Sequence, residues 1–155
     1  MQKRTRMLMG GSIVAVAAAA GLVSPAYAAG HTSAAAGNEV AVTVENRTDD
    51  VLTLGGVSHS GTAEFSRSPG VVGQTEISPS GLAEWSVRAL MPRDAIGWAT
   101  YKAPNGDSIR VTADASSQVT NCWVSGPEGR QDSPSHACKV AGTPENPYVI
   151  IADKG

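Results

Sequence analysis

Gly97-Trp98-Ala99-Thr100-Tyr101-Lys102-Ala103-Pro104-Asn105-Gly106-Asp107-Ser108-Ile109-Arg110-Val111-Thr112-Ala113 holds two β-rich runs around a Pro-Asn-Gly turn. Asn-Gly between alternating apolar and polar residues is a strong hairpin signal. Two registers compete. A two-residue turn would pair Pro104 with Asp107 and set Trp98 on the face of Ile109 and Val111. A three-residue loop, Pro104–Gly106, would pair Ala103 with Asp107. Proline presets φ for the first turn position, and glycine takes the left-handed position that follows. The second register is therefore favoured. It puts Ala99 and Tyr101 beside Ile109 and Val111, and sends Trp98, Thr100, Arg110 and Thr112 to the opposite face. A slip of one residue would reverse this assignment.

The segments around the hairpin read as further short strands. Val40, Val42 and Val44 alternate with Ala41, Thr43 and Glu45, followed by an Asn46–Asp50 turn and a short run Val51–Leu54, expected to return antiparallel. Gly55–Gly73 is rich in glycine and serine and reads as a long loop or weak edge segment around Phe65. Gln74–Ile77 ends before Pro79. Ala83, Trp85, Val87 and Ala89 alternate with polar residues, which turns Trp85 inward. Val119–Val124 carries Cys122 and Trp123, and Tyr148–Ile151, apolar on both faces, reads as a central strand. Trp85, Tyr101 and Tyr148 are expected in the core. No capped helix with a 3.6-residue stripe is evident after residue 28. The fold class is all-β: a single antiparallel β-sandwich over residues 39–155.

The first residues read as an address. Lys3, Arg4 and Arg6 precede an uncharged, alanine-rich run from Leu8 to Val23, and Pro25 and Ala26-Tyr27-Ala28 complete a cleavage signal. Residues 1–28 are assigned as a cleaved secretory signal peptide of bacterial character, residues 29–38 as a disordered lead, and the location as extracellular. Past residue 28 stand nine bases against fourteen acids, a formal net charge of −5. That balance argues against nucleic acid as a partner. No run past the signal is long and apolar enough to span a bilayer.

Export and a count of two cysteines point to one disulfide, Cys122–Cys138. It would close a Gly-, Pro- and Ser-rich loop, worth about 3 kcal/mol in the chain-entropy account.

Catalytic motifs are missing. There is no phosphate-cradling glycine loop. Gly56-Val57-Ser58-His59-Ser60 resembles a nucleophile elbow but has serine where glycine is required, so Ser58 and His59 read as a polar loop rather than a hydrolase pair. His136 beside the cysteines fits no zinc spacing, and Asp49 and Asp50 read as turn residues. No metal and no cofactor are assigned. Asn46-Arg47-Thr48 fits a glycosylation sequon, but no sugar is assigned to a chain with this signal. Trp98 and Trp123 are the candidate binding residues, because an exposed indole on an exported β-domain suits a membrane lipid, a glycan or a protein partner. A non-enzymatic binding module is the leading class. A secreted inhibitor or toxin-like protein using the loop around Arg130 is the alternative, with a hydrolase third.

Val42-Thr43-Val44-Glu45-Asn46-Arg47-Thr48 with Leu52, then Ile77-Ser78-Pro79, Gly97…Tyr101…Gly106 and Asn121-Cys122-Trp123, resembles the aegerolysin and bacterial crystal-protein type. The similarity runs from about Val40 to Tyr148. It implies a small β-sandwich that binds membrane lipids. The cystine and the cleaved signal depart from that pattern.

Overall fold

The structure, a computed structural model, describes residues 38–71, 74–144 and 146–155. The expected signal peptide and residues 29–37 of the expected lead lie outside them. The described chain is all-β. Ten strands run β1 (Glu39–Arg47), β2 (Leu52–His59), β3 (Ala63–Arg67), β4 (Glu76–Ile77), β5 (Leu82–Ala89), β6 (Ile96–Lys102), β7 (Ser108–Asp114), β8 (Val119–Ser125), β9 (His136–Gly142) and β10 (Pro147–Asp153). They form two five-stranded sheets, ordered β3-β5-β1-β10-β9 and β4-β2-β6-β7-β8.

The β6–β7 hairpin adopts the three-residue register. Ala103 N–H donates to the Asp107 carbonyl at 3.0 Å, Gly106 N–H donates to the Ala103 carbonyl at 3.0 Å, and Gly106 takes φ +91°. Tyr101 pairs with Ile109 and Ala99 with Val111, all four facing inward and buried. From the first sheet, Val40, Val42 and Val44 of β1, Trp85 and Val87 of β5, and Val149 and Ile151 of β10 meet them. Period-two alternation thus supplies one apolar layer from each sheet, and stacking the layers makes the core. Tyr101 and Trp85 bring polar atoms into it. Burial pushes the Tyr101 phenol far up, so it stays neutral; the Trp85 indole offsets part of this without reaching hydrogen-bond geometry.

Four expectations are corrected. The sandwich is not wholly antiparallel, because β1 and β10 pair in parallel with Thr43 opposite Tyr148. The two strands come from opposite ends of the domain, so no hairpin constrains their direction. β2 does not return beside β1. Buried Asn46 donates through Nδ2 to the carbonyls of Asp50 and Ile77 and accepts from Thr48, which carries the chain across to the second sheet, where Leu52 pairs with Ile77. The loop expected from Gly55 begins later, because β2 runs on to His59, while the edge segment expected around Phe65 is β3. β3 is an edge strand with a register shift after Phe65, so its alternation is weak. Tyr148 also departs from expectation. It lies half-buried on the outer face of the first sheet, where burial and then the Glu45 carboxylate raise its phenol.

Cys122 on β8 and Cys138 on β9 form the expected disulfide, with Cα atoms 6.1 Å apart. These are the edge strands of the two sheets on one side, so the bond staples the sandwich shut there. On the other side the sheets approach closely. A Cβ added at Gly97 would lie 2.2 Å from Val87 Cγ2 and 3.2 Å from the Phe65 ring.

Gly97→Ala should therefore destabilise the domain by about 1–3 kcal/mol in chemical denaturation, because the overpacked carbon has nowhere to go. Reducing the Cys122–Cys138 bond should lower stability by about 3 kcal/mol, seen as a lower Tm in reductant. Unchanged stability in either experiment would refute the corresponding contact.

Candidate functional site

The outer faces of the two sheets differ in chemistry. On the first sheet three arginines pair with glutamates: Arg47 with Glu45 at 2.6 Å, Arg67 with Glu84 at 2.6 Å, and Arg88 with Glu64. Such a surface is solvated and contributes little to stability. On the second sheet the strand register lays out rows of side chains pointing away from the core. Ser58, Trp98, Thr112 and Asn121 form one row; Gly56, Thr100, Arg110 and Trp123 form the next. Lys102 with Ser108, and Ile96 with Asp114 and Val119, bound these rows. No described element covers this face.

Both expected binding residues lie on it, but unequally. Trp123 is 45 % exposed, and the Arg110 guanidinium stands over its ring at 5.7 Å from the centroid. Trp98 is half-buried rather than open, lying between β2 and β7, the strands on either side of β6. The two indoles sit on strands separated by β7 and offset by one row. Arg110 and Thr112 lie between them. Among the described residues Arg110 has no carboxylate partner. A cation stacked on an indole keeps its N–H groups available for an oxygen-rich ligand. The hairpin register alone sends Arg110 to the face of Trp98. Its stacking on Trp123 depends on the β7–β8 pairing, which has no sequence signal.

Ser58 and His59 do not converge. They are neighbours on a strand and therefore point to opposite faces. Ser58 shares the outer face with Trp98, while His59 packs edge-on to Phe65 at 5.8 Å and its Nδ1 meets the Ser60 carbonyl. No nucleophile–base pair exists there.

A second polar cluster lies at the hairpin tip, unforeseen from the sequence. Asp107 and His136 are 0 % and 1 % exposed. His136 Nδ1 donates to Asp107 Oδ2 at 2.6 Å, Asn105 Nδ2 donates to the same oxygen at 3.1 Å, and the Ser133 hydroxyl donates to it as well. Ser133 Oγ in turn accepts from the backbone N–H of Ser135 and His136, and Lys154 Nζ donates to the Ser133 carbonyl. His136 Nε2 faces Asp153 at 3.4 Å and Asp50 at 3.5 Å. Serine, histidine and aspartate meet here without the wiring of a hydrolytic triad, because the hydroxyl bonds the carboxylate and not the imidazole. Among the described residues no group of three His, Cys, Asp or Glu is arranged to hold a metal ion. The cluster is a knot. It ties the cystine loop to the β6–β7 tip, so the disulfide is not alone in holding that loop.

Burial works to raise the Asp107 carboxyl, and the bonds from Ser133, His136 and Asn105 outweigh it, so its pKa lies below the ordinary value. A carboxyl lowered in this way stabilises the folded state at pH values above its unfolded value of about 4, and the contribution fades as pH falls through the lowered folded value. Asp107→Ala should therefore cost about 3–5 kcal/mol at neutral pH, since it strands buried donors. The acid limb of the stability–pH curve should be flatter in this variant. A loss under about 1 kcal/mol would show that the knot is not holding the loop.

No family model matches this chain, and no curated protein matches it in sequence. Its architecture is similar to the crystal structure of the lipid-binding protein Nakanori, at 12 % identity and TM-score 0.51, over 78 % of this chain and 73 % of that one. At that identity the likeness is one of fold: the chain shares a β-sandwich with a lipid-binding protein.

Proposed function

We propose that this protein is an exported, non-enzymatic module that binds a lipid surface through the outer face of its second sheet, with Trp98 and Trp123 as the contacting residues. The observation that carries the reading is Trp123, 45 % exposed beneath the Arg110 guanidinium on a sheet face that nothing described covers. A large aromatic held open in this way has the chemistry of an interface between water and hydrocarbon. The fold shared with a lipid-binding protein and the aegerolysin-type resemblance of Val42–Thr48 and Asn121–Trp123 support the same target. They bear on the architecture, and the indoles bear on the site. The divergence of Ser58 from His59 supports a binding role over a hydrolytic one.

The formal net charge of −5 beyond residue 28 gives no general attraction to anionic lipid, so affinity must come from apolar and headgroup contacts. Vesicle co-sedimentation across zwitterionic and anionic compositions tests this. Binding should change little between low and high salt. Trp123→Ala should weaken it by about 1 kcal/mol or more, with Trp98→Ala smaller because that indole is partly shielded. A folded protein that binds no vesicle of any composition refutes the lipid target. Binding to immobilised glycans in its place would reassign the same face to a sugar.

A further inference from the structure

The two most exposed large apolar side chains among the described residues are neighbours. Leu90 is 56 % and Met91 55 % exposed, and Pro92 and Arg93 after them are also exposed. They form the turn from β5 to β6, at the end of the sandwich opposite the Asp107–His136 knot. Val119, 46 % exposed, lies at the same end, on β8 opposite Asp114, which in turn pairs with Ile96 at the start of β6. An isolated exposed leucine needs no explanation, but consecutive exposed Leu and Met at a loop tip is unusual for a monomeric surface.

This tip is not a loose loop. Leu90 N–H donates to the Thr62 carbonyl at 2.8 Å, and Arg93 N–H to the Met91 carbonyl at 2.8 Å. The hydroxyls of Thr62 and Ser60 both donate to the Asp94 carbonyl. Ala115 N–H donates to the carbonyl of fully buried Ala95 at 2.8 Å. Both stems of the turn are therefore anchored, and Asp94 takes the left-handed backbone, φ +52°, that closes it. These bonds hold the apolar pair out in solvent and keep it from folding back onto the core.

Charge is distributed unevenly between the two ends. The knot end carries Asp49, Asp50, Glu128, Asp132 and Asp153 together with Arg47, Lys102, Arg130 and Lys154, all beside or within its loops. Among the described residues the loops of the tip end carry one exposed cation, Arg93, and one exposed carboxylate, Asp94. Asp114 beside them is held by the hydroxyls and backbone of Ser116 and Ser117. A densely charged end and an end with a consecutive exposed apolar pair and one adjacent arginine give the domain a direction relative to a membrane. Hydrocarbon accepts Leu90 and Met91, Arg93 reaches back to phosphate, and the densely charged end stays farthest from the surface.

We propose that the Leu90–Arg93 turn, with Val119 at the same end of the sandwich, is the part of the protein that enters a lipid bilayer. This rests on the lipid target proposed above and adds the element that penetrates. The row Ile96, Asp114, Val119 is the margin where this end meets the outer face of the second sheet, with Trp98 about 7 Å further along β6. One bilayer can therefore receive the tip and touch the Trp98 face together.

The test uses phosphatidylcholine vesicles and vesicles with added phosphatidylserine. Leu90→Ser with Met91→Ser in one chain should lower vesicle affinity at least about ten-fold while leaving the Tm unchanged, since both side chains are exposed. Met91→Trp provides the second readout: its added emission should shift to the blue on vesicles and be quenched by lipids brominated on the acyl chains. Wild-type binding that survives the double substitution, with no shift from Met91→Trp, overturns the tip and leaves the lipid target standing. Loss of binding in Trp123→Ala alone, with the double variant unaffected, moves penetration to the sheet face and likewise overturns the tip. No binding by the wild-type protein overturns both readings.

Discussion

The interface between the two sheets is the constraint on which the rest of this structure depends. Val40, Val42, Val44, Trp85 and Val87 on one side and Ala99, Tyr101, Ile109 and Val111 on the other form a single apolar layer. At about 25 cal/mol per Å² removed from water, this layer is the dominant stabilising term available to a domain with no described α-helix. It also determines what is left outside. A strand buried on one side must present its alternate residues on the other, so packing Ala99, Tyr101, Ile109 and Val111 inward is what places Trp98, Thr100, Arg110 and Thr112 outward. The candidate binding face is the complement of the core.

The ends of the layer are closed by different chemistry. At one edge a covalent bond joins β8 to β9. At one end a buried carboxylate and imidazole join the hairpin tip to the cystine loop. Burying Asp107 is tolerable because three donors meet one of its oxygens, and the same bonds aim the serine hydroxyl at the carboxylate and not at the imidazole. At the opposite end hydrogen bonds close the loops while leaving Leu90 and Met91 uncovered. The domain thus differs along its strands, densely charged and knotted at one end, sparsely charged with an anchored apolar pair at the other. A binding module needs such a direction if it is to meet a surface in one orientation.

Residues of one type take different roles here according to what the second sheet brings beside them. Arg88, Arg67 and Arg47 are paired with glutamates on the first sheet, whereas Arg110 lies over an indole. Trp85 fills the core, Trp98 is partly covered by adjoining strands, and Trp123 stands open because β8 is an edge. Burial, rather than residue type, separates packing from recognition.

The sequence by itself determined whatever depends on neighbours in the chain. Pro104-Asn105-Gly106 decided the hairpin register, since only a glycine accepts φ +91° without cost, and alternation decided which faces of β1, β5, β6 and β7 are buried. Two cysteines left one pairing within the chain. Tertiary structure decided everything that depends on which strands lie side by side. The parallel β1–β10 pair joins segments from opposite ends of the domain, and β2 leaves β1 because a buried asparagine bonds to Ile77. The contacts of Asp107 with Ser133 and His136 and of Arg110 with Trp123 also span loops whose path no local pattern specifies. β3 is an edge strand with little burial, so its alternation is faint and it reads as a loop or a weak edge segment. Period-two patterning is a local record of burial, and strand order is a consequence of packing distant segments, which leaves no periodic trace.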